Sequence, residues 1–381
     1  MRLHWIDALR GMGIILVVFA HHSLPISLNT YVYSFHMPLF FFISGFLFDF
    51  EKYAGSAANF IRERFRSLIV PYFCFALLIC LFYFLLDMAF QPGVTNIGFF
   101  KASTLYVIYS ILYAGSMIKC DPPLWFLTCL FVTELLFYGF AKSCYEKPGK
   151  LVFWLTAVGI LEYLYSVHVP FRLPWDADVA LAAVVFYGVG NLFKKITKLG
   201  EKTGAVSGAS FSLQLDSRLR KELFRVEKFF PRIFILLDLL YLGYLLEFPP
   251  TDHINMRSLQ HGGFFSFYFL AFSGIFAFVY LSKKIGSSKI LEYYGRNSLI
   301  VLALHYPTMV ILTQLAVLSL GVRREYFESN IASALSLTVL NLLFLVPMIF
   351  VINNYFPFIL GKRGSSTYFD NIRTRFRKLV N

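Results

Sequence analysis

Three ionisable side chains lie in or beside the first apolar stretch of this sequence: Asp7, Arg10 and His21. At 3.6 residues per helical turn they fall on one stripe, and the 11 residues from Arg10 to His21 span about 16 Å. A neutral imidazole can take a proton from a hydroxyl group and return it to a leaving group, so the sequence favours His21 as a general acid–base catalyst. His22 lies about 100° further around the helix and is the weaker candidate. Asp7 and Arg10 are close enough to pair, and a purely structural ion pair is the simpler alternative for them.

Seven further residues are candidates for binding a substrate or an acyl donor. The planar guanidinium of arginine suits phosphate oxygens, so Arg62 and Arg66 are candidate ligands of a phosphorylated donor, although charge that only sets membrane topology explains them equally well. Glu134 lies about two and a half turns after Trp125 and is expected to orient a histidine or counter an arginine. The full set is His36, Arg62, Arg66, Trp125, Glu134, Arg296 and His305.

The elements that carry these residues are predicted to be transmembrane helices. Of the 381 residues 57% are hydrophobic and only 15% charged, which excludes a soluble globular, disordered or disulfide-stabilised protein. Apolar runs of about 20 residues match the bilayer, and runs such as 331–352 are apolar on every face, unlike the alternating strands of a β-barrel. The predicted fold class is all-α, a polytopic membrane protein. Ten spans are expected, at roughly 9–28, 33–50, 67–88, 124–141, 151–168, 177–193, 232–247, 263–282, 297–320 and 331–353.

The basic residues are distributed unequally between the two sides of the predicted membrane. One side holds 29 of the 35 lysines and arginines, including a loop at about 194–231 and a tail at about 354–381. The positive-inside rule places that side, and with it both termini, in the cytoplasm. The net charge of +13 is therefore interpreted as topology and contact with anionic lipid rather than nucleic-acid binding. The simplest parse is a single membrane domain over residues 1–381.

Other local features make weaker predictions. The five cysteines have no C-x-x-C spacing, so neither a disulfide nor a metal site is expected. The first apolar run has no convincing cleavage site and is expected to be retained. The stretch 105–117 is too short to span and is expected to lie in the interface or re-enter the protein, with an ordinary packing helix as the alternative. Glu162 and Asp238 are left as unassigned polar contacts.

Four short blocks follow one another in a defined order. They are Asp7-x-x-Arg10-Gly11 followed by His21, Phe35-His36-Met37-Pro38 followed by Ser44-Gly45, Pro123-Leu124-Trp125-Phe126-Leu127, and Gly295-Arg296-Asn297-Ser298 followed by His305. With the Arg-rich segment before Val70-Pro71-Tyr72, they extend from residue 5 to about residue 310. In order and spacing they resemble the acyltransferase family 3 integral membrane proteins, in particular the fucose O-acetylase-like branch.

The resemblance implies transfer of an acetyl group from acetyl-CoA, as a substrate and not a bound cofactor, to a hydroxyl of a cell-envelope or exported polysaccharide sugar or its lipid-linked precursor. It implies His21 as catalytic base or acyl relay, Arg10 as its basic partner near the CoA side, and a multi-pass protein of the bacterial inner membrane in contact with lipids. A transporter or flippase of a glycan or lipid precursor is the alternative, because a buried Asp/Arg/His stripe also suits proton coupling or anion passage. An inactive partner of a biosynthetic complex is a third. The acceptor sugar and the oligomeric state are not determined by the sequence.

Overall fold

The computed structural model describes residues 3–89, 104–114, 123–144, 147–205, 217–251, 254–321 and 330–362. Within these ranges the chain is helical apart from connections and one isolated antiparallel bridge between Asn255 and Gln260, so the predicted all-α fold class is confirmed. The α-helices described are α1 His4–His21, α2 Ile26–Leu47, α3 Ala57–Arg64, α4 Val70–Ala89, α5 Thr104–Tyr113, α6 Trp125–Cys144, α7 Pro148–His168, α8 Ala177–Ala205, α9 Ser217–Glu247, α10 Phe264–Ile285, α11 Lys289–Arg296, α12 Ser298–Leu320 and α13 Ile331–Tyr355.

Nine helical segments within the described residues are long and apolar enough to cross a membrane, and they correspond to nine of the ten predicted spans. The one remaining predicted span, at 232–247, forms the C-terminal half of α9 and packs against α2 and α10. Its outward face is apolar, with Leu236, Leu239 and Leu240 exposed. An exposed apolar face of this kind is typical of a helix that contacts lipid. The chain is therefore a polytopic membrane protein, while the cytoplasmic location of its termini stays a prediction.

The first helix ends earlier than the sequence predicts. A span over 9–28 would place His21 in its middle, but α1 stops at His21 and the next residue has extended backbone. Pro25 starts the second helix and disfavours helical backbone in the residue before it, so the connection leaves the helix within a few residues. His21 consequently lies at a helix end, where its side chain is free of the following turn.

The second helix begins earlier than the sequence predicts. A span over 33–50 would place His36 at its mouth, but α2 starts at Ile26 and His36 lies about 15 Å along it. Pro38 lies in the helix interior, where it cannot donate the usual backbone hydrogen bond. The early start of α2 buries His36 among neighbouring helices.

Two pairs of helices pack with their backbones in contact. A Cβ atom at Gly11 of α1 would lie 2.0 Å from a backbone oxygen of α11, and one at Gly295 would lie 1.9 Å from the carbonyl oxygen of Asp7. The helices α2 and α8 meet in the same way, at Gly45 and Gly190. Glycine at these positions is what permits the close approach of the two helices. These contacts fix α1 and α2, the two helices that carry the candidate histidines.

Other predicted segments are only partly described. The described part of 105–117 forms α5, which is tied to the bundle because the Tyr72 hydroxyl donates to the carbonyl of Ile111 at 2.8 Å and the Trp175 indole donates to that of Leu112 at 2.9 Å. Residues 115–117 lie outside the described residues. So do 206–216 of the predicted basic loop, between α8 and α9, and the predicted basic tail from 363 onward.

Candidate active site

A cavity of about 90 Å³ lies between α1, α2, α12, the start of α6 and the loop that precedes α10. Its polar lining residues are His21, Tyr33, His36, Trp125, Asn255 and Arg257. Its remaining lining residues are Val17, Met37, Pro123, Met256 and Leu302. Three predicted site residues, His21, His36 and Trp125, are thus brought together although they come from three different helices.

Both histidines of the cavity are held by their own helix. The Nδ1 atom of His21 lies 2.8 Å from the carbonyl oxygen of Val17, and that of His36 lies 2.8 Å from the carbonyl oxygen of Val32. Because a carbonyl oxygen can only accept, Nδ1 carries the proton in each ring, and Nε2 of the neutral ring keeps the lone pair. Each imidazole is therefore set up as a proton acceptor through Nε2.

His305 packs behind His21 and does not line the cavity. The two ring centroids are 4.8 Å apart in an edge-to-face arrangement. His305 is fully buried, and its Nδ1 lies 2.9 Å from the carbonyl oxygen of Leu302. Its Nε2 has no hydrogen-bond partner among the described residues. The arrangement makes His305 a support for the His21 ring.

Sequence reasoning missed three polar lining residues, of which Arg257 is the most notable. Arg257 lies in the loop between α9 and α10, and its guanidinium carbon is 5.9 Å from the centre of the Trp125 ring. It also interacts electrostatically with His21 and Tyr33. The signal that could have found it is its position, since only six basic residues fall on the predicted outer side and Arg257 is one of them.

Asp7, Arg10 and Arg296 lie toward the other end of α1, away from the cavity. Arg296 donates to Asp7, with 3.4 Å between Nε and Oδ2, and also pairs with Glu292. Asp7 interacts electrostatically with Arg10 as well. Hydrogen bonds from Ser287 and then His4 lower the pKa of Glu292, which lies outside the spans, to about 2. The structure thus separates a charged cluster from the histidine cavity by about 16 Å along α1, as the sequence spacing predicts.

Glu134, Arg62 and Arg66 also lie away from the cavity. Glu134 is buried in α6 and its Oε2 is 3.6 Å from Nε of Arg64, so it counters an arginine, one of the two roles predicted for it. The Tyr187 hydroxyl donates to its other oxygen at 3.5 Å. Arg62 is exposed at the surface, and Arg66 is half-buried in a π-helical turn between α3 and α4. Neither lines the histidine cavity.

The two acids that the sequence left unassigned, Glu162 and Asp238, also have partners. Glu162 and His261 form a buried pair, with 2.6 Å between Oε1 and Nε2. Asp238 accepts a hydrogen bond from the Tyr31 hydroxyl at 2.5 Å. Among the described residues, no group of three or more histidine, cysteine, aspartate or glutamate side chains is arranged to hold a metal ion. The cavity lining itself offers two imidazole bases beside a guanidinium.

A comparison with protein families gives one match. A family profile described as an acyltransferase domain matches residues 3–371, nearly the whole chain. No curated protein and no solved structure has a significant match to the chain. The matched range includes both the histidine cavity and the charged cluster at the other end of α1.

Proposed function

Because the chain belongs to acyltransferase family 3 and is a membrane acyltransferase, we propose that it transfers an acetyl group from acetyl-CoA to a hydroxyl of a cell-envelope or exported polysaccharide sugar, or of its lipid-linked precursor. The predicted fucose O-acetylase-like branch is part of this proposal. So is a location in the inner membrane of a bacterium.

The observation that supports the proposal is the hydrogen bond that fixes the tautomer of His21. Its Nδ1 is committed to the Val17 carbonyl, so its Nε2 is the atom left for proton transfer or nucleophilic attack. Val17 and His21 both line the cavity. At about 90 Å³ the cavity is far smaller than the roughly 300–1,000 Å³ of typical ligand pockets, so it suits the reacting groups and not whole substrates.

Two routes are consistent with this geometry. In direct transfer, Nε2 of His21 takes the proton of the acceptor hydroxyl while its oxygen attacks the thioester carbonyl; the C–S bond then breaks and the CoA thiolate takes up that proton. In acyl relay, Nε2 itself attacks the carbonyl and displaces the thiolate, which leaves an acyl-imidazolium; the acceptor oxygen then attacks the acyl carbon, the C–N bond breaks to return neutral His21, and the hydroxyl proton passes to the CoA thiolate. In both, His305 positions the ring of His21.

The charged groups away from the cavity suit the donor. Acetyl-CoA carries its phosphates and its thioester at opposite ends of an extended arm. Arg10, Arg62, Arg66 and Arg296 are the candidates for binding those phosphates, since guanidinium groups match phosphate oxygens. With Arg10 about 16 Å from His21 along α1, the donor would enter from one side of the membrane and the acceptor hydroxyl from the other.

The test measures base-labile acetate on cell-envelope and secreted glycans by mass spectrometry. The strains compared carry wild type, His21→Ala, His21→Gln, His22→Ala or no copy of the gene. We expect loss of acetate in the deletion strain and in both His21 variants, with His22→Ala active and all proteins equally abundant on an immunoblot. His21→Gln keeps much of the side-chain volume and so controls for packing.

Acetate that persists in both abundant His21 variants would refute His21 as the catalytic residue. Acetate unchanged in the deletion strain would refute the proposed substrates. It would favour the alternative function, a transporter or flippase of a glycan or lipid precursor.

A further inference from the structure

Among the described residues that line the cavity, Arg257 carries the only permanent charge, and none of them is a carboxylate. An arginine is costly to place beside apolar groups, and one neighbouring acid, Asp176, interacts with it electrostatically. Neither the family match nor the charged stripe of α1 assigns it a role. The loop that carries it, residues 254–261, comes from a part of the chain far from α1.

Hydrogen bonds fix the backbone of this loop. The Arg257 carbonyl accepts from Nη1 of Arg172 at 2.6 Å, and Arg172 is itself paired with Asp176 and Asp178. The Arg257 backbone N–H donates to the side-chain oxygen of Asn255 at 3.0 Å. Both the backbone N–H and the carbonyl of Arg257 are therefore held by groups that are themselves anchored.

The far end of the loop is fixed as well. Asn255 and Gln260 exchange two backbone hydrogen bonds, of 2.9 and 3.0 Å. The next residue, His261, forms the buried pair with Glu162 of α7. A short closed loop with a buried hydrogen-bonded pair at its end presents its side chains in a defined direction.

The guanidinium itself is also restrained. It lies over the Trp125 ring at 5.9 Å, within the range of a cation–π contact. It lines the same cavity as His21 and Tyr33. A fixed cation thus faces the same small space as the Nε2 base.

We propose that Arg257 is a further catalytic residue, which donates hydrogen bonds to the oxyanion formed when the thioester carbonyl is attacked. This inference rests on the proposed acyl transfer. In either route the attacking atom bonds to the carbonyl carbon and the C=O electron pair moves onto oxygen. Collapse re-forms C=O as the C–S or C–N bond breaks, so the negative charge beside Arg257 is transient. A preorganised donor facing developing charge lowers the barrier without strengthening substrate binding.

The test uses the full-length protein in nanodiscs, acetyl-CoA, and as acceptor the unacetylated glycan prepared from the deletion strain. Release of CoA thiol gives kcat and KM for wild type, Arg257→Gln, Arg257→Lys and Ser258→Ala. Ser258 is an exposed neighbour in the same loop and serves as the matched control. Melting temperatures of all four proteins are measured in parallel.

We expect Arg257→Gln to lower kcat about 10²–10³-fold, with both KM values within about twofold of wild type. Arg257→Lys should retain an intermediate kcat, because it keeps the charge and loses the planar fork. Ser258→Ala should match wild type, and no variant should melt early.

Three results would overturn the inference: an unchanged kcat in Arg257→Gln, a change confined to KM for the glycan, which would indicate an anionic acceptor group, or a loss of activity that follows a lower melting temperature. A wild-type protein that releases no thiol with this glycan would instead refute the proposed function itself. The two failures are therefore distinguishable.

Discussion

The reactivity of the cavity depends on which nitrogen of each imidazole keeps its lone pair. His21 and His36 both donate through Nδ1 to a carbonyl one turn earlier in their helix, an arrangement available to any helical histidine whose ring turns back toward the preceding turn. The choice of His21 over His36 as the base thus rests on position. His21 lies at a helix end, in contact with His305 and on the same cavity wall as Arg257, whereas His36 is buried in the middle of α2.

The environment of Glu292 predicts that the stability of the folded protein depends on pH. Hydrogen bonds from Ser287 and His4 lower its pKa from about 4.5 to about 2, so the folded state favours the carboxylate. A lowered pKa gives stability that is fully present above pH 4.5 and is lost as the pH falls toward 2. We expect wild type to melt at a higher temperature than Glu292→Gln from pH 8 to pH 5.

Below pH 4.5 the gap between the two melting temperatures should narrow. Thermal unfolding in detergent over this pH range measures it. A gap that stays constant with pH would mean that the Glu292 carboxylate does not contribute through its charge.

The ends of the helices and the points where they cross determine the positions of the candidate catalytic residues. The stop at His21 and the early start of α2 bring the two cavity histidines together, and the crossing of α1 and α11 at Gly11 and Gly295 sets the depth of the charged cluster. The glycines of the recognised blocks therefore serve packing, while the histidines serve chemistry.

Gly295→Ala tests this division. Its Cβ would lie 1.9 Å from a backbone oxygen of α1, which a side-chain shift cannot relieve. We expect a loss of about 1–3 kcal/mol or more in the free energy of unfolding, together with reduced activity, because α1 must move. Thermal unfolding and thiol release measure the two effects.

Gly139→Ala in α6 is the matched control. A Cβ there meets nothing within 4 Å, so the change should be neutral or stabilising by about 0.5–1 kcal/mol through helix propensity. Equal effects of the two alanines would contradict the close crossing of α1 and α11.

For the whole molecule, the unequal distribution of basic residues predicts the sidedness of the reaction. If both termini are cytoplasmic, the Arg257 loop and the His21 end of α1 face the outer side, and the charged cluster of Asp7, Arg10 and Arg296 faces the cytoplasm. Acetyl-CoA would then meet the cluster from the side on which it is made.

Truncation fusions to alkaline phosphatase, which is active only outside the cytoplasm, test this topology. We expect an active fusion after Pro250 and an inactive one after Gly286, because α10 lies between the two positions. A fluorescent protein fused to the C-terminus should fluoresce. The opposite pattern would invert the donor and acceptor sides.

Length and periodicity determined the helices, because a helix that crosses a bilayer must be apolar over about 20 residues whatever its neighbours are. The sequence blocks also sufficed to predict the acyltransferase family, which the family match confirms. They separated Arg10 from His21 correctly, since that distance lies within one helix and follows from its rise.

Only the tertiary structure decided which distant residues share the cavity. Arg257 joins His21 because hydrogen bonds from Arg172 to the Arg257 carbonyl and between His261 and Glu162 hold a loop between α9 and α10 against the start of α6. Glu134 does not contribute to the cavity, because its carboxylate is paired with Arg64. Such contacts depend on how helices cross and where loops return, and local periodicity carries no information about either.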